Sequence, residues 1–201
     1  MRIECRARIA CGAWLLVVGV LSQGCGDTAK GDTPSGTTAG PAQGASHLVV
    51  NATGTGCSVG DITTFSIPTD GSTSSSTVGA QIVDDVDGAA VDCSVKEDAS
   101  GFSVLGTLQS ADGIVFAVGA DIGPSTGDSA YQATGKISHY APTTTTMRGI
   151  GCTITVSPRQ GANIGPGKIW ADFACPAFNQ TSTGGGTCAA TGTFVFANCT
   201  G

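Results

Sequence analysis

Residues 56–60, Gly56-Cys57-Ser58-Val59-Gly60, fit G-x-S-x-G, the elbow that presents a nucleophilic serine between a strand and a helix in α/β-hydrolases. That elbow needs a parallel sheet with crossover helices. No window of about 11 residues after residue 24 carries a capped helical stripe, so the match reads as a by-product of a chain rich in Gly and Ser. A hydrolase could instead pair His139 with Ser103 or with an aspartate brought near by folding, although a satisfied or surface histidine is the favoured reading. Glycoside hydrolysis would need two facing carboxylates, with Asp121, Asp128 and Asp172 among the candidates. Spacing selects none of these pairs, so the acids read as solvated turn residues and no enzyme is expected. The densest acidic run, Asp84-Asp85-Val86-Asp87-Gly88 with Asp92 after it, is an oxygen-rich turn able to offer calcium ligands from Asp84, Asp85 and Asp87. It lacks the alternating ligands and distal Glu of an EF-hand, and a plain Asp/Gly turn is the expected reading. Zinc is not expected, because no C-x-x-C pair occurs and the only histidines are His47 and His139. Trp170, Phe173 and Phe178 could line a binding patch beside the glycines at 184–186, although packing in the core is the favoured role of such aromatics.

Nine cysteines stand at 5, 11, 25, 57, 93, 152, 175, 188 and 199. The first two fall in a targeting segment. Arg2, Arg6 and Arg8 precede an apolar run from Ala10 to Leu21, followed by small and polar residues, so residues 1–24 read as a signal peptide with a helical apolar stretch. That run is too short to cross a bilayer, which needs roughly 20 residues.

The junction Leu21-Ser22-Gln23-Gly24-Cys25 resembles the lipobox of bacterial lipoproteins, with Leu one position earlier than is usual there. The resemblance implies that Cys25 is lipidated and becomes the mature N-terminus. Parity agrees with it: a lipidated Cys25 leaves six cysteines, an even set for three disulfides, whereas ordinary secretion would leave an odd thiol in an oxidising compartment. Residues 26–46 hold Gly, Ser, Thr, Pro and Ala with no large apolar side chain, a flexible tether of roughly 25 Å end to end. Gly26 after Cys25 points, by analogy with lipoprotein sorting, to the outer membrane.

The elements that must position any site are strands. Val, Ile, Thr and Phe recur in short runs at 47–52, 61–67, 77–83, 89–95, 102–108, 114–122, 131–140, 151–157, 167–175 and 188–199, separated by Gly, Asp and Ser. Alternation such as Cys152, Ile154 and Val156 against Thr153 and Thr155 is the period of a half-buried strand. Ser110-Ala111-Asp112-Gly113 reads as a hairpin turn. The expectation is one all-β domain over 47–201, an antiparallel β-sandwich or barrel-like meander stabilised by Cys57, Cys93, Cys152, Cys175, Cys188 and Cys199. A hairpin of 167–175 with 188–198 would set Cys175 opposite Cys188, leaving Cys152–Cys199 and Cys57–Cys93 as the remaining pairs in order of preference.

Loss of the leader leaves six basic and fourteen acidic residues, a net charge of −8. Nucleic acid is therefore not an expected partner, since phosphate binding needs clustered Lys and Arg. Leader, polar tether and the final GTCAATGTFVFANC together resemble small uncharacterised lipoproteins of myxobacteria, which implies a place in the cell envelope rather than an activity. The expected function is an envelope-anchored, non-catalytic β module that binds a protein or glycan or has a structural role. The alternative is a divergent secreted hydrolase.

Overall fold

A computed structural model describes residues 40–57, 62–68, 80–123, 131–142, 146–156, 164–181 and 185–201. The leader, Cys25, Ser58, Asp128 and most of the expected tether lie outside the described residues. The strands are β1 (Gln43–Asn51), β2 (Ile62–Ile67), β3 (Ile82–Val83), β4 (Ala90–Asp98), β5 (Gly101–Gln109), β6 (Val115–Ile122), β7 (Tyr131–Tyr140), β8 (Met147–Val156), β9 (Ile169–Gln180) and β10 (Thr187–Ala197). No helix occurs among the described residues.

Period-two alternation makes these strands. In β4, Val91, Cys93 and Val95 are buried while Asp92 and Lys96 are exposed; in β8, Cys152, Ile154 and Val156 point inward between outward threonines. Ser110–Gly113 forms the turn between β5 and β6 as the sequence suggests. The Gly113 N–H donates to Ser110 O at 2.9 Å with Gly113 at φ 82°, and the Ser110 hydroxyl bonds the Asp112 carboxylate.

All described strands join one antiparallel sheet in the order β2-β1-β10-β9-β8-β7-β6-β5-β4, with β3 pairing the first end of β1. β4 through β10 run as a meander, and β1 adds to the far side of β10. The sheet cannot be flat. Phe116 on β6 lies 5.9 Å from both Phe173 on β9 and Phe194 on β10, although three and four strand spacings separate them. Phe65 on β2 meets the His139 ring on β7 at 4.2 Å, five spacings away, where a flat sheet would hold them about 24 Å apart. The inward side chains thus meet one another across a curled half-barrel, the barrel-like branch of the expectation rather than two stacked sheets.

β1 begins at Gln43, so residues 43–46 belong to the sheet rather than to the tether expected to end at 46. Small residues suit this place. Ala45 and Ser46 are buried, and Gln43 to Ser46 pair in register with Ala197 to Phe194.

All six cysteines after Cys25 are disulfide-bonded, but the pairs are Cys57–Cys188, Cys93–Cys199 and Cys152–Cys175. The three expected pairings are corrected by the curl and by strand length. β9 runs on through Phe178 and Gln180, so residues 176–180 continue the strand expected to end at 175; Cys188 pairs with Phe178 and Cys175 faces β8. Cys152 and Cys175 sit next to the Thr153–Ala174 pair, with Cα atoms 4.2 Å apart. The chain leaving β1 runs beside the start of β10, where the Thr187 N–H donates to Thr55 O at 3.0 Å. A Cβ on Gly186 would lie 1.8 Å from Gly56 O, so only glycine lets the backbones approach and bring Cys57 to Cys188. At the β4 edge the tail closes the curl: the Val95 N–H donates to Thr200 O (2.8 Å) and the Thr200 N–H to Cys93 O (3.0 Å), which sets Cys199 against Cys93.

Candidate functional site

Strand alternation sorts the chemistry-bearing residues into an interior and an outer face, and the two histidines fall on different sides. His139 points inward from β7 at 2% exposure, and among the described residues neither ring nitrogen has a hydrogen-bond partner. Burial holds its imidazole down to about 4, so it is neutral at pH 7. Its cross-strand neighbours Phe116 and Met147 are apolar. Ser103 sits on the outer face of β5, one strand beyond β6, so a His139–Ser103 pair does not form; the favoured reading of a satisfied or surface histidine is also corrected, since the ring is buried without a hydrogen-bond partner among the described residues. A group buried among apolar side chains cannot reach a substrate as a general base.

His47 lies on the outer face of β1, half-buried, its imidazole lowered by desolvation. It belongs to a row in register across six strands: Gln132, Thr155, Asp172, Thr193, His47 and Ser66. His47 Nδ1 and Ser66 Oγ are 3.0 Å apart, and the Thr193 hydroxyl donates to Asp172 Oδ1 at 2.7 Å. Sequence reading missed this row, because strand order, absent from the sequence pattern, makes neighbours of residues 47, 66, 172 and 193. Chemically it holds two hydrogen-bonded cross-strand pairs, His47–Ser66 and Thr193–Asp172, the sheet counterpart of helix side-chain pairing. Thr193 is buried at its centre.

Asp121 and Asp172 do not form a hydrolytic pair. Asp121 on β6 and Asp172 on β9 lie three strand spacings apart, about 14 Å in the sheet, beyond the separations of roughly 5–9.5 Å that glycoside hydrolysis uses. The 84–88 run is a turn in which Asp84 Oδ1 accepts the Val91 N–H at 2.8 Å, while Asp85, Asp87 and Gly88 take positive φ. Among the described residues no three His, Cys, Asp or Glu side chains gather in a metal-holding arrangement. The favoured core role of the aromatics holds for two of the three. Phe173 and Phe178 point into the core at 3% and 0% exposure, while Trp170 lies half-buried on the outer face.

The outer face of β5 to β8 is different. Leu105, Gly119, Lys136 and Ile150 form one cross-strand row, and Leu105 and Ile150 are 61% and 67% exposed. Gly119 leaves a dip between these two apolar walls, a groove of about 350 Å³ whose polar edge carries Asp121, Lys136 and Thr134. These are the largest exposures among big apolar side chains of the described residues. Gly119 and Lys136 stand between Leu105 and Ile150 in the row, so the two aliphatic side chains are separate exposures flanking the groove.

No protein-family profile matches the chain, and no match is found among curated proteins or among solved structures. The three disulfides belong to a fold made in an oxidising, extracytoplasmic compartment. Among the described residues no helix is long and apolar enough to cross a membrane.

Proposed function

We propose that the chain is an envelope lipoprotein, lipidated at Cys25, whose β-domain is a non-catalytic binding module, and that it binds a protein or glycan through the outer face of β5 to β8. The observation that carries the binding role is the Leu105–Gly119–Lys136–Ile150 row, which keeps two aliphatic side chains in water on a sheet whose interior is already filled. Parity supports the anchor, because every later cysteine is consumed in a disulfide and Cys25 alone remains after the leader. The hydrolase alternative has no supporting geometry among the described residues: His139 is sealed in the core, and the His47–Ser66 pair lines none of the described cavities.

Photo-crosslinking in intact envelopes tests the role. A crosslinker placed at Leu105 or Ile150 is expected to capture a discrete adduct that the same group at Thr191, exposed on β10, does not. Equal capture at all three positions, or none at any, removes the outer-face reading. Replacing Cys25 by Ala is expected to move the protein from the membrane to the soluble fraction; retention in the membrane contradicts the anchor.

A further inference from the structure

The chain has two histidines, and both contact the same strand from opposite sides. His139 stacks on Phe65 inside the half-barrel at 4.2 Å, and His47 meets Ser66, the next residue, on the outer face at 3.0 Å. The strand they grip, β2, is the edge of the sheet, and among the described residues it pairs with β1 alone. Phe65 and Ile67 are its inward side chains, and Ile67 is fully buried.

We infer that β2 is an acid-labile strap, clasped on its inner face by His139, that lifts from the half-barrel when this imidazole takes up a proton; the outer His47–Ser66 contact persists on protonation, since the serine oxygen accepts from an imidazolium N–H. The inner histidine faces no compensating charge: Phe65, Phe116 and Met147 surround it by stacking and register, and it is the only titratable side chain buried among the described residues. A charge there has no partner, and β2 covers the ring through Phe65. On the outer side, His47 is flanked by Ser66 on β2 and Thr193 on β10, with Ala45 and Val49 beside it on its own strand. Asp172, bonded to Thr193, is the single charge on that row and lies two strands away. The Cys57–Cys188 bond tethers the chain ahead of β2, so the strap opens about a fixed end while the β7–β10 meander stays closed.

The sign follows from the neutral folded state. At pH values above 6.5 both folded and opened forms carry neutral His139, and the clasp is fully present. Between 6.5 and about 4 only the opened form binds the proton, so opening grows tenfold per pH unit and then levels off. From pH 7 to pH 5 the expected rise in β2 opening is about 20-fold from His139 alone.

Hydrogen exchange of the purified mature domain, corrected for intrinsic rates, reads this directly. Amides of 62–67 are expected to lose protection about 20-fold between pH 7 and pH 5 while those of β9 and β10 hold theirs. His139→Leu should flatten the β2 response; His139→Met serves if the leucine variant misfolds. Unchanged β2 protection in the natural protein overturns the inference. So does loss of protection in all strands at one pH, or an undiminished response in the His139 variants.

Discussion

Gly106→Ala decides whether the sheet curls, because the sign of its effect depends on it. In an open sheet, replacing a strand glycine by alanine stabilises by roughly 0.5–1 kcal/mol through reduced unfolded-state freedom. In the half-barrel Gly106 on β5 lies beneath the Phe196 ring on β10, five strand spacings away. An added Cβ would come within 2.4, 2.5 and 2.9 Å of three ring atoms, where carbon atoms prefer about 3.5–4 Å. Phe196 is 1% exposed and packs on Phe194 at 5.9 Å, so the ring has no free volume to enter. Overpacking of this kind costs about 1–3 kcal/mol, a fall in Tm of about 3–10 °C for a domain of this size. Urea unfolding followed by circular dichroism measures it. Phe196→Leu removes the clashing ring atoms, so the double variant should show a coupling of about 1 kcal/mol or more in the cycle. A neutral or stabilising Gly106→Ala, or strict additivity, would refute the packing of β5 against β10 and with it the curl.

Removing the Cys93–Cys199 bond by paired alanine substitution frees a span of 106 residues and is expected to cost about 3–5 kcal/mol in chemical unfolding; a loss under about 1 kcal/mol would mean the tail does not close the β4 edge. Thr193→Val deletes the 2.7 Å bond to Asp172 and should cost about 1–2 kcal/mol, and an unchanged midpoint would remove the polar row from the account of stability. Melting with millimolar calcium and with excess chelator should superimpose, since Asp84 already serves the Val91 N–H; a rise in Tm with calcium would restore the metal reading of Asp84, Asp85 and Asp87.

Strand content was legible because the period-two pattern is local: Val91-Asp92-Cys93 and Cys152-Thr153-Ile154 declare their faces without reference to anything distant. Met147–Ile150 escaped notice because Arg148 and Gly149 interrupt the apolar run, and Pro176 disguised the continuation of β9 to Gln180. The disulfide set followed from parity, whereas the pairing depends on which strands meet through space. Cys93 reaches Cys199 only because β4 curls back to the tail, and no spacing encodes that. The same limit hid the His47–Ser66 contact and let His139 pass as a catalytic candidate. Alternation in TGKISHY already placed Ile137 and His139 on one face, a signal that the histidine is buried.

The most direct test of the central claim is the intact mass of the native protein from its membrane fraction, alkylated without reduction. The account predicts a chain that begins at Cys25, carries lipid mass and takes up no alkylating agent, since three disulfides consume the remaining thiols. An unlipidated soluble chain, or one that gains alkyl groups at several cysteines, would contradict it.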